Sequence, residues 1–187
     1  RFLVSGRRLF LFLNWNLFLA FVPWLAKTIV VCSQQLKGRR GIALILLIIW
    51  IVFFPNSPYI LTDLFHLRLK SQIPIWYDLV LVLSFAWTGL MFGFISLFDI
   101  EKLLSHRFKG RLVSAVVVCL LFVSSFGIYL GRFLRWNSWD ILNHPLALLT
   151  DIGERFLDPI AHPRTWGVRV LMGLLLNKMY WSIRILP

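Results

Sequence analysis

The sequence predicts an all-α, polytopic integral membrane bundle: four to five transmembrane helices with interfacial helices beside them. Three observations predict it. Of 187 residues, 59% are apolar and only 15% charged, against about 25% charged in soluble domains. The mean hydropathy of +0.77 exceeds what a soluble fold of this size could bury. Finally, the apolar residues fall in runs long enough to cross a hydrocarbon core of roughly 30 Å. Disordered, collagenous and disulfide-stapled classes are excluded by the same composition. The whole of 1–187 reads as one membrane domain. Arg1 in place of an initiating Met points to a start that lies upstream.

The first run, 9–31, is a full span. Arg7 and Arg8 before it resemble the start of a signal peptide, but the apolar stretch is too long and no small-residue cleavage site follows. The second, 41–54, is short and ends at Pro55, so polar 34–40 is expected to lend its last turn. Runs 79–98 and 112–134 are the third and fourth spans. A fifth candidate, 166–186, carries Arg169, Lys178 and Arg184, and crosses only if those cations snorkel or pack against protein. Cys32 and Cys119 are expected to be unpaired and buried.

With spans alternating, the short loops 32–41 and 99–111 share one face and are dense in Lys and Arg, which marks them as cytoplasmic. Loops 55–78 and 135–165 are then non-cytoplasmic and hold six of the eight acids. The net charge of +12 comes from cations that flank spans. Their counter-charge is expected to be lipid headgroups, not nucleic acid.

Two of the non-cytoplasmic segments share the pattern N-S-x-x-I-L, at 56–61 and 137–142, each after a two-span hairpin. The echo suggests a parallel repeat of 9–69 and 79–150. Ser57 before Pro58 reads as an N-cap with proline at the first helical position. A helix over 58–69, running along the interface, would then align Tyr59, Asp63 and His66 on one face. Ser138 would cap a second helix with Asp140 in its first turn and His144 one turn on. Segment 145–157 reads as an amphipathic interfacial helix.

These segments concentrate Asn56, Ser57, Tyr59, Asp63, His66, Asp78, Tyr129, Arg132, Arg135, Asn137, Ser138 and Asp140 at one membrane surface, with Asn14 and Asn16 joining from below. Desolvated charges and amides need partners, so Asp63 and Arg132 are expected in one pocket. Three chemistries suit the set. It can be a structural network of carboxylates against Arg132 and Arg135, framed by an aromatic belt. It can be an anion or headgroup site built from two helix N-termini and the arginine pair. It can be a metal or acid–base site of Asp63, His66, Asp140 and His144, though no metal-ligand spacing is diagnostic and no metal is predicted. A lone His66 could instead ligate a pigment or haem. Gly127-x-x-x-Gly131 is a close-packing face, with Gly89 and Gly93 as its expected partner. His106 and His162 are expected to be solvated. No P-loop, dinucleotide fingerprint or nucleophile elbow is present.

The stretches 53–64 (FFPNSPYILTDL), 76–78 (WYD) and 127–140 (GIYLGRFLRWNSWD) resemble a bacterial and cyanobacterial multi-pass family catalogued as domain of unknown function 1361, over roughly 14–180. The resemblance implies a bacterial inner-membrane or thylakoid protein and endorses these loops, and it supplies no activity. The expected role is a non-catalytic membrane component: an accessory subunit of a larger membrane complex or a lipid-associated binding module, with bound lipid and no other cofactor. The alternatives are a small membrane enzyme or transporter acting on an anionic or headgroup substrate through an Asp/His/Arg site, and a peripheral subunit of a photosynthetic or respiratory complex, where pigment would be a ligand.

Overall fold

The computed structural model describes residues 11–32, 40–66, 74–134, 136, six isolated positions between 143 and 153, and 163–185. Among them every regular element is helical: α1 (Phe12–Cys32), α2 (Arg40–Phe53), α3 (Asn56–Tyr59) running into a 3₁₀ segment (Ile60–His66), α4 (Ile75–Ser105), α5 (Gly110–Phe133) and α6 (Pro163–Ile185). Four stretches are long and apolar enough to cross a membrane: Phe12–Val31, Gly41–Phe65, Ile75–Ser105 and Gly110–Phe133. The chain is an all-α polytopic membrane bundle. In a bilayer only closed backbone hydrogen bonding is tolerated, which is why these apolar runs are helices. The chain divides into two compact units, 1–106 and 107–187.

In the first unit, side-chain contacts fix the directions of the helices. Ala20 faces Gly89, Phe21 and Trp24 pack on Phe92, and Lys27 pairs with Asp99, so α1 and α4 run parallel. Trp50 meets Ser96, Phe54 and Ser57 meet Gly93, and Ile60 meets Gly89, so α2, α3 and the 3₁₀ segment descend antiparallel to α4. A core of Leu13, Ala20, Ile60, Val82 and Ala86 closes the three strands of chain together.

The second span differs from the sequence expectation. Its helix begins at Arg40, and residues 34–39, expected to lend its last turn, lie outside the described residues. Its chain continues past Pro55 to Phe65, packed against α1 and α4, and it does not turn along the interface. The cause lies on α4. Gly89 and Gly93 leave a strip without side chains, and a Cβ on Gly93 would stand 2.8 Å from the Ser57 Cβ. Backbone of 54–60 therefore sits closer to α4 than any larger residue would allow. Gly89 and Gly93, read from the sequence as a close-packing face, accept this segment.

In the second unit α5 and α6 pack antiparallel. The Ser125 hydroxyl donates to the Arg169 carbonyl at 2.9 Å, and Gly173 admits the Phe122 ring. Cys119 is a free thiol and exposed, not buried as expected; on an apolar helix, outward is where a small sulfur side chain meets lipid.

Candidate functional site

Asp63 carries the strongest case. Its side chain is 1% exposed in a chain stretch that belongs to a membrane span, where an unpartnered carboxylate is prohibitively costly. Asn16 of α1 donates to it through Nδ2 at 2.8 Å. Thr62 beside it is buried and donates to the Tyr59 carbonyl at 2.7 Å, which occupies its hydroxyl locally. One helical turn below Val82, Asp78 is 4% exposed on the buried face of α4. Asn16 joins this group as expected; Asn14 is exposed and does not.

The local geometry that presents Asp63 is not the one the sequence suggested. Pro55 occupies the N-cap of α3 and no side chain caps it. Ser57 lies inside that turn, 0% exposed, and its hydroxyl donates instead to the Ala20 carbonyl of α1 at 3.1 Å. Asn56 Nδ2 donates back to the Phe53 carbonyl at 3.0 Å. From Ile60 the chain is 3₁₀, so residues three apart align. Asp63 therefore shares a row with the core residue Ile60, while Tyr59, expected beside it at α-helical spacing, is displaced from that row. The His66 side chain lies outside the described residues.

Of the remaining predicted residues, Tyr129 and Arg132 belong to the second unit. Tyr129 is buried and its ring stacks on Phe126 and Phe133 at 6.5 and 5.2 Å. Arg132 is half-buried in the last turn of α5. Arg135, Asn137, Ser138, Asp140 and His144, and with them the second N-S-x-x-I-L copy and the 145–157 helix as a whole, lie outside the described residues; so does His162. His106 is exposed, its Nδ1 2.6 Å from the Lys102 carbonyl. Among the described residues no group of three or more His, Cys, Asp and Glu side chains could hold a metal ion.

Two buried polar pairs were not singled out from the sequence. Lys27 of α1 forms an ion pair with Asp99 of α4, the two side chains 7% and 29% exposed, and its ammonium lies 5.6 Å from the Trp24 ring centroid. Trp50 of α2 donates its indole N–H to the Ser96 hydroxyl at 3.1 Å, which in turn donates to the Gly93 carbonyl at 2.7 Å. One signal was available: each of these polar groups stands in or beside an otherwise apolar run. The pairs Asn16–Asp63 and Lys27–Asp99 sit toward opposite ends of α1, roughly 16 Å apart along its axis at about 1.5 Å per residue.

In the first unit Asn16 with Asp63, Lys27 with Asp99 and Trp50 with Ser96 are thus tied pairwise across helices, whereas large aromatic side chains point out. Because α1 and α4 are parallel, Trp15 and Trp76 stand at the same end of the unit, 53% and 62% exposed, with Phe65 at 70%. This is the end that carries Asp63 and Asp78. A family model described as "Protein of unknown function (DUF1361)" matches residues 15–179. No curated protein and no solved structure matches the chain.

Proposed function

The chain belongs to the DUF1361 family, and from that premise we propose that it is a non-catalytic integral membrane component that acts by docking. Its outward aromatic end would seat on a larger membrane complex or on lipid headgroups, as an accessory subunit or lipid-associated binding module. One observation carries the reading: the Asp63 carboxylate turns inward to Asn16, while at the same end Trp15, Phe65 and Trp76 turn outward. Amphipathic aromatic rings at the water–lipid boundary are suited to headgroups and to partner surfaces. The reading places the protein in a bacterial inner or thylakoid membrane, with the connections that follow Phe65 and α5 on the non-cytoplasmic side.

Purification in a mild detergent tests it. Wild type is expected to migrate with a larger complex or with stoichiometric lipid, and the triple variant W15A/F65A/W76A to lose that companion while keeping its helical content. A companion-free, lipid-free wild-type monomer would refute docking.

A second reading rests on the broken second span. Discontinuous helices with a buried carboxylate are how many carriers build a binding site at depth, so a small membrane enzyme or transporter using Asp63 is the alternative. The variant D63N separates the two. Docking predicts that it retains its companion; a carrier or enzyme would keep its fold and lose transport or turnover.

A further inference from the structure

Helix α6 (Pro163–Ile185) contains Arg164, Arg169, Lys178 and Arg184 and is not among the four stretches apolar enough to be counted as spans. Its packing says otherwise. The Ser125 hydroxyl reaches the Arg169 carbonyl, and the Phe122 ring fills the space at Gly173. Moving up four residues on α6 moves down three on α5, so the helices are antiparallel and in register. Carried along both helices, that register sets Ile185 beside Gly110 and Pro163 beside Gly131. α6 therefore accompanies α5 over its full length, and α5 is long and apolar enough to cross.

The cations of α6 are placed so that crossing is tolerable. The Arg169 guanidinium lies 4.8 Å from the Trp166 ring and 5.0 Å from the Phe126 ring, an aromatic sandwich that offsets desolvation. Arg184 lies 4.5 Å from the Trp181 ring in the last turn. From Arg169 to Arg184 is about 22 Å along the axis, which brings the two Trp–Arg pairs close to opposite faces of a ~30 Å core. Lys178 is the one cation between the pairs, exposed about 9 Å along the axis from Arg184, and its ammonium is the part of the crossing that costs most. Between the pairs, Val170, Leu171, Leu174 and Leu175 are exposed in a row, 42% to 71%, while Gly173, Leu176 and Tyr180 are buried on the other side.

We propose that α6 crosses the membrane as a fifth span, its outward stripe covered by lipid acyl chains and its terminal arginines neutralised by lipid phosphates of the two leaflets. Charge complementarity selects this occupant: an apolar face bracketed by cations matches a bilayer leaflet, with its hydrocarbon between anionic phosphates.

Single cysteines in a C32S/C119S background test it in sealed vesicles with a membrane-impermeant maleimide. P187C and K109C are expected to label from the same side and T165C from the opposite side. T165C and P187C labelling from one side would overturn the proposal; R164C and L186C repeat the measurement at neighbouring positions if either variant fails to fold. For the lipid contact, L171C and L174C carrying a bimane fluorophore are expected to lose most of their emission in vesicles of lipids with brominated acyl chains. Full emission in those vesicles would mean that protein or water, not lipid, covers the stripe.

Discussion

At the scale of single residues, the first unit is governed by what buried polar atoms can find. Asp63 accepts from Asn16 across 47 positions of sequence, and removing the carboxyl leaves that amide in a dry site. D63A is expected to lower stability in detergent by about 1–3 kcal/mol, the usual penalty for orphaning a buried donor, whereas D63N keeps an acceptor oxygen and recovers most of the loss. Thermal unfolding followed by circular dichroism measures both; equal losses would show that the Asn16 contact is not what holds Asp63. Lys27 and Asp99 behave as a unit. Either K27A or D99A alone is expected to cost about 3 kcal/mol, the low end for a broken buried pair because Asp99 keeps some exposure, and the swap K27D/D99K to restore part of it. Cys119, exposed midway along α5, is expected to resist both permeant and impermeant maleimides in intact vesicles, because a thiol among acyl chains does not form the thiolate that attacks, and to react once the protein is unfolded in SDS.

Single elements show what their own sequences hide. The second span is split because Pro55 and Pro58 interrupt it, yet it keeps to the bundle because α4 offers glycine at both places where its backbone approaches. G93A is expected to destabilise the unit by about 1–3 kcal/mol, as overpacking does, and the double variant G93A/S57G to regain part of that by deleting the opposing Cβ; chemical denaturation of the purified variants checks it. The apolar runs of spans one, three and four were readable because burial in lipid needs only composition and length, which a sequence displays directly. The path of 55–66 was not. Pro-Asn-Ser-Pro is locally a stop signal, and what overrides it stands some thirty residues later on another helix. The Ser57 hydroxyl went astray for the same reason. Capping is a local preference, and a carbonyl on α1 offered a partner that only tertiary contact reveals. Of the candidate site, Asn16 with Asp63 was legible as polar residues in apolar surroundings; Lys27 with Asp99 was passed over because inter-helix register leaves no trace in either span's pattern.

For the whole molecule, parallel α1 and α4 around an antiparallel middle strand have a consequence for how the protein is made. Synthesis runs from the N-terminus, and the middle strand leaves the ribosome before the glycine strip that seats it exists. Until α4 arrives, residues 54–66 have α1 alone for company, with one flank open to lipid. A nascent chain halted near residue 74 is therefore expected to be held by insertion machinery or degraded, and one halted beyond 106 to persist. The half-life of each truncated product in a pulse–chase experiment separates the two.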